Sequence, residues 1–471
     1  MLGAMRPSSA AVLMIVVLSA CTPVSADPKP DPKPSDPRAA LEPLAKSLID
    51  AEYCSGLVVA LIPASAPPRI LAWGETARGN GKLPDGSTVF EIGSVSKVFT
   101  SLLLAELVID KQVTLDTQVA ALLPPKTKLP AGTRAITLLD LATHTSGLPR
   151  MPDNFHPADS ANPYADYTVE QLFAFLATAK LAREPGAGFE YSNLGAGLLG
   201  QALARRAGFD WPTLVTTQIA RPLAMSSTMV ALTDDARARF AQGYADGDPV
   251  KPWDIPALAG AGALRSTAAD LVMFVKAELA ASKDPKSRLA RAMALTQKPQ
   301  RDVGAGPPGK VGLAWHINPD GLIWHNGQTG GYHAFVGFHP SLQVGVVLLA
   351  NGAAMEFDEL AKAALTALAG QPAPTSLRLP PADQVVDEKT LETYVGTYEL
   401  APTFTIAVSR TGARLYGQAT GQPRFRLHAT SPRDFAVRIV PASVTFEVAP
   451  EGKVTGLVLH QGGRDQRARR Q

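Results

Sequence analysis

A hydroxyl and an amine stand three residues apart in Ser94-Val95-Ser96-Lys97, just ahead of the apolar run Val98 to Val108. On a helix this spacing places both side chains on one face, a turn apart, where they can touch. The chemistry open to them is acyl transfer, in which the amine takes the proton of an attacking serine. An apolar core and a helix start both disfavour the ammonium form, which is what a lysine base requires. The same helix start offers the backbone N–H of Ser94 to a developing oxyanion. A second group is Tyr191-Ser192-Asn193, after the turn Glu184-Pro185-Gly186-Ala187-Gly188. Its tyrosine, held near a lysine charge, can act as a phenolate-type base, and its amide can hold a substrate carbonyl while contacting Lys97. By themselves these strings are weak. Ser-x-x-Lys recurs by chance in long chains, and Tyr-x-Asn equally describes a core tyrosine with a capping asparagine.

The longer string Phe90-Glu91-Ile92-Gly93-Ser94-Val95-Ser96-Lys97 resembles the active-site signature of class C β-lactamases at every position. The Tyr-x-Asn of that family follows in order, and so does the frame of its third element, normally Lys-Thr-Gly on a strand beside the nucleophile. Here the third element reads Trp324-His325-Asn326-Gly327-Gln328-Thr329-Gly330-Gly331-Tyr332, with His325 in place of the lysine and Asn326 in place of the threonine. A His-x-Gly version is similar to that of some esterases, D-aminopeptidases and peptidoglycan D,D-peptidases. The resemblance implies Ser94, Lys97 and Tyr191 as catalytic residues and Asn193, His325, Gly327 and Gln328 as substrate contacts. Gly327 would let the backbone approach the substrate, and the N–H of Gln328 would be the second oxyanion donor. Histidine near pH 7 is mostly neutral, so recognition of a substrate carboxylate is the property this replacement touches. The segment ATHTSGLP, 142–149, also looks like a family segment, and His144 within it is expected to be structural.

These residues need elements to hold them. Gly56 to Ile62 and Arg69 to Trp73 read as a hairpin, and the run from Val98 to Val108 is apolar nearly all round, which predicts a helix buried inside the protein. Helical patterning returns near 169–181, 195–207 and 268–281, and strand-like patterning at 311–318 and 333–350. The fold class expected is α+β. A β-lactamase/transpeptidase-like domain, with an antiparallel sheet flanked by helices plus a helical subdomain, precedes a small all-β barrel-like domain. The second linker, at 372–388, holds Pro372, Pro374, Pro380 and Pro381. After it, alternating segments such as Phe404 to Val408, Arg424 to Leu427 and Val444 to Val448 predict an antiparallel β unit over 389–471. The resemblance spans about 45 to 370, and the terminal unit looks like the lipocalin-like domain that accompanies some family members.

At the N-terminus, Arg6 and an apolar run from Ala10 to Leu18 form an export signal, too short to span a bilayer. It ends in Leu18-Ser19-Ala20-Cys21, which resembles a lipobox and implies a lipid-bearing Cys21; Val24-Ser25-Ala26 is the alternative cleavage site. The expected order is a lipoprotein signal peptide over 1–21, a Pro-rich tether over 22–40, the hydrolase domain over 41–371, the linker and the β domain. With 45 Lys plus Arg against 42 Asp plus Glu, and no basic window interleaved with aromatics, nucleic acid is set aside as a partner. With no Gly-x-Ser-x-Gly, His-Glu-x-x-His or Gly-x-x-x-x-Gly-Lys string, α/β-hydrolase, metalloprotease and nucleotide chemistry lack support, and no cofactor or metal is expected. The expected activity is that of a periplasmic serine hydrolase, a β-lactamase or D-alanyl-D-alanine carboxypeptidase/endopeptidase acting on β-lactams or peptidoglycan peptides. An esterase or D-aminopeptidase is the alternative within the family, and a non-catalytic muropeptide-binding lipoprotein the alternative outside it.

Overall fold

The computed structural model describes residues 36–303, 309–379, 383–402, 404–420, 424–438, 440 and 442–471. The signal segment, Cys21 and the tether up to Ser35 lie outside these residues. The end of the stretch expected as tether is helical. Asp36 accepts from the N–H of Arg38 and Pro37 opens the helix Pro37–Asp50, a position where a missing N–H costs nothing. The helix then buries Leu41, Leu44, Ala45 and Leu48. A proline reading as a breaker is here a start signal, because three apolar turns follow it.

The central sheet is antiparallel and runs, edge to edge, through 69–74, 56–62, 344–350, 333–339, 323–328, 316–317, 310–311 and 301–302. Its N-terminal hairpin pairs with a strand from the far end of the domain, Val58 opposite Leu349, so the two ends of the domain meet within the sheet. Gly56–Ile62 is buried on both faces, which explains its unbroken apolar run. Leu57, Val59 and Leu61 face one core with the helices Pro37–Asp50 and Phe357–Leu368. Val58, Ala60 and Ile62 face the larger core, with Ser96–Ile109, Asn193–Ala207 and Ala268–Lys283. Ser96–Ile109 has buried residues from Ser96 to Leu107 without a break, the central helix its composition called for.

Residues 396–470 form a closed eight-stranded barrel of sequential antiparallel strands, sealed by Tyr398 opposite Arg470. Closure leaves no free edge. Tyr398, Ile406, Leu415, Leu427, Phe435 and Phe446 belong to its core. The short helix Glu388–Tyr394 stacks Tyr394 on Phe446 with ring centroids 4.1 Å apart. Among the described residues no helix is long and apolar enough to cross a membrane.

Candidate active site

The strand Val89–Glu91 pairs with Arg265–Thr267 and runs into a single 3-10 turn, Gly93–Val95, before the central helix begins at Ser96. Gly93 has φ +49°, a left-handed conformation that a side chain would strain. Ser94 sits half-buried on this turn, while Lys97 beneath it is 1% exposed. The Lys97 Nζ lies 2.9 Å from Ser94 Oγ, 2.9 Å from Asn193 Oδ1 and 2.7 Å from the carbonyl of Ala261. A neutral amine has two N–H groups and one lone pair, which matches two acceptors and one hydroxyl. Burial, then the nearby Arg150 guanidinium, hold the Lys97 pKa well below the usual lysine range. The arrangement can therefore remove the proton of Ser94.

Tyr191 and Asn193 flank the start of the helix Asn193–Ala207. Ser192 caps it, accepting from Gly195 N–H at 2.8 Å and donating its hydroxyl to Pro149 O at 2.7 Å. The Ser192 N–H donates to His144 Nδ1 at 3.1 Å, and the His144 ring packs 4.4 Å from that of Tyr191. His144 has a structural place, as expected. Burial raises the Tyr191 pKa, and a hydrogen bond with Ser94 only partly offsets this. The phenol is thus protonated at rest, which departs from the phenolate-type base expected. In that form the hydroxyl is able to donate a proton.

The strand Ile323–Gln328 alternates, with His325 and Gly327 turned inward and Asn326 and Gln328 to the other side. A methyl on Gly327 would overlap the Ile92 carbonyl oxygen and stand 2.7 Å from Ser94 N. One on Gly93 would stand 2.7 Å from Gln328 N. These paired glycines let the backbone at Ser94 and at Gln328 approach each other closely, as an oxyanion site would require. His325 was expected to touch substrate, but its side chain has no exposed surface. It packs behind Tyr191, 5.1 Å from the His316 ring, and burial, the largest cause, drives its pKa well down. Asn326 faces the far helix, donating to Asp358 Oδ2 at 2.7 Å, so it does not substitute for a threonine hydroxyl in the cleft.

Four further residues shape the cleft without having been singled out in the sequence. The Arg150 guanidinium lies 5.1 Å over the Tyr191 ring, exposed, and among the described residues no carboxylate pairs with it. It directly follows the 142–149 segment, so proximity to a recognised string was its available signal. Trp253 and Tyr164 line the cleft with Ser94 and Asn193. Trp253 is held by its N–H to Glu91 Oε1 (2.9 Å) and its carbonyl to Arg265 (2.8 Å), both from a buried ion pair of 3.2 Å. Ala261 contributes only a carbonyl, which no side-chain pattern reveals.

A half-buried serine hydroxyl 2.9 Å from a desolvated lysine amine is an arrangement suited to a serine acyl hydrolase. The model of the β-lactamase family matches residues 44–371, and that of a domain of unknown function, DUF3471, matches residues 380–470. The chain belongs to the β-lactamase family and is a serine hydrolase of that family. The D-alanyl-D-alanine-carboxypeptidase/endopeptidase AmpH of Escherichia coli (strain K12) is 31% identical over 315 residues, 63% of this chain and 80% of that protein. A β-lactamase/D-alanine carboxypeptidase from Yersinia pestis, solved with citrate, superposes with a TM-score of 0.62 at 25% identity, covering 71% of this chain and 97% of its own. An octameric penicillin-binding protein homologue from Pyrococcus abyssi shares the fold over 92% of this chain and 99% of its own, with a TM-score of 0.63 at 21% identity.

Proposed function

We propose that the chain is an exported D-alanyl-D-alanine carboxypeptidase/endopeptidase or β-lactamase, anchored through lipid on Cys21, that opens its amide bond through an ester on Ser94. The observation that carries this reading is the Lys97 amine 2.9 Å from Ser94 Oγ, with its other two partners both acceptors. Ser94 attacks the carbonyl as its proton passes to Lys97, and the N–H groups of Ser94 and Gln328 receive the oxyanion. The C–N bond then breaks as the leaving nitrogen takes a proton by way of the Tyr191 hydroxyl, and water releases the acyl group from Ser94. Asn193 holds the acyl-side carbonyl. Support for the substrate class comes from the AmpH relative and from Arg150, an exposed cation beside Tyr191 that pairs with no carboxylate among the described residues and is able to meet the carboxylate of a D-Ala terminus or a penicillin.

An esterase is the second reading, favoured by the buried, uncharged His325, which has no means of recognising a carboxylate. The test is labelling by a fluorescent penicillin together with turnover of a D-Ala-D-Ala peptide, its C-terminal carboxamide twin and a p-nitrophenyl ester. Ser94→Ala should lose labelling and all turnover, and the free carboxylate should be preferred to the carboxamide. Equal rates for wild type and Ser94→Ala would end the serine mechanism, and ester turnover with no peptide turnover would select the esterase.

A further inference from the structure

The barrel grips one element of the hydrolase domain through charge. That element is the hairpin formed by Gly243–Ala245 and Asp248–Val250, whose turn holds Asp246 and Gly247 at φ +54° and +83°. From the barrel, Arg414 donates to Gly247 O at 3.1 Å and Asp248 Oδ1 at 3.0 Å, and the Tyr416 hydroxyl donates to Asp248 Oδ1 at 2.9 Å. His428, 2% exposed, bonds Asp246 Oδ1 through Nε2 at 2.5 Å and Asp383 through Nδ1 at 3.0 Å. Glu52, at the end of the first helix, ties Arg414 and Arg426 to the same corner. Removing one partner from such a part-buried network leaves charge uncompensated, so the network holds the hairpin in one place.

The other end of the hairpin lies against the turn that follows Gln328. Tyr244 N–H donates to the carbonyls of Gly331 (3.2 Å) and Asn351 (3.1 Å), and Gly243 packs on the Tyr332 ring so closely that a methyl there would stand 2.7 Å from it. Three residues beyond Val250, Trp253 lies against Gly330 and lines the cleft with Ser94. Strands of three residues have little stability of their own, and Gly330 and Gly331 leave the turn after Gln328 soft. Groups outside the hairpin must therefore hold it, and at its tip these are the barrel's Arg414, Tyr416 and His428 together with Arg78 of the hydrolase domain, which donates to Gly247 O at 3.0 Å.

We propose that the barrel is a positioning element of the acyl cleft, setting through His428, Tyr416 and Arg414 the place of the hairpin 243–250 and of the Trp253 wall. The inference rests on the cleft at Ser94 being the active site. It gives the DUF3471 region of this chain a role in substrate fit that needs no ligand inside the barrel.

The experiment uses the full chain with Asp248→Ala and His428→Leu, singly and together, and Phe446→Leu as a variant that weakens the barrel core away from the hairpin. Two readouts are taken: the KM ratio between a phenylacetyl and an acetyl p-nitrophenyl ester, and the emission of Trp253, isolated by subtracting each protein's Trp253→Phe twin. The hairpin variants should raise the KM ratio roughly three- to tenfold and shift the Trp253 emission to the red, while Phe446→Leu moves neither. An unmoved ratio and emission in the double variant, or equal movement in Phe446→Leu, overturns the inference. Failure of the hydrolase reading is separate and shows as ester turnover surviving Ser94→Ala, with the Trp253 emission still deciding whether the barrel sets the wall.

Discussion

Gly327→Ala tests the oxyanion geometry through a single methyl. The added carbon would overlap the Ile92 carbonyl and stand 2.7 Å from Ser94 N, where ordinary contact begins at 3.4 Å, so strand and turn must part by about 0.7 Å (3.4 less 2.7) or more. That movement separates the N–H groups of Ser94 and Gln328, which serve an oxyanion only at hydrogen-bond distance from one point. Loss of one such donor costs about 2.7–4 kcal/mol, or ~100- to 1000-fold in kcat. Lys97 and Tyr191 keep their partners, since neither is bonded to Gly327, so the drop should fall on kcat with Ser94 still present and solvent-accessible. Steady-state ester hydrolysis, penicillin labelling kinetics and a thermal melt on one preparation measure it. A variant that melts with wild type and keeps kcat within threefold would refute the claim that these glycines create the oxyanion site.

The acid limb of kcat/KM should lie well below the range of an exposed lysine, because burial and then the Arg150 charge disfavour the Lys97 ammonium. Removing that charge in Arg150→Gln should move the limb to higher pH, and a limb that stays or falls counts against Lys97 as the base. Away from the cleft, Glu278 is fully buried with one donor, Gln297 Nε2 at 2.5 Å, and burial raises its pKa from 4.5 to about 8. The folded chain then keeps a proton the unfolded chain loses, so stability falls as pH rises from 4.5 to about 8. At about 1.4 kcal/mol per pH unit the upper bound is about 5 kcal/mol. Urea unfolding at both ends of this range should show Glu278→Gln with less of the decline than wild type, and parallel curves would contradict the assignment.

Much of the site could be read in the chain because its geometry is local. Ser94 and Lys97 are one helical turn apart in any helix, and Ser192 caps the helix that begins at the very next residue, Asn193. The alternation after residue 390 likewise follows from strands with one face inward, and a closed barrel is one of the few ways such strands bury it. The tether expected over 22–40 gives way to a helix at Pro37, because a breaker and a first-turn proline differ only in what packs afterwards.

Other properties belong to the folded chain alone. That the Lys97 pKa lies well below the usual lysine range depends on its burial among groups drawn from residues 94, 193 and 261 and on the nearby Arg150 guanidinium. That His325 is buried while Arg150 stands open follows from which way a strand faces and where a loop ends. Trp253 enters the cleft through Glu91 and Arg265, 174 positions apart. Local sequence decides which torsions and faces are available, whereas desolvation and charge depend on what long-range packing brings within a few ångströms.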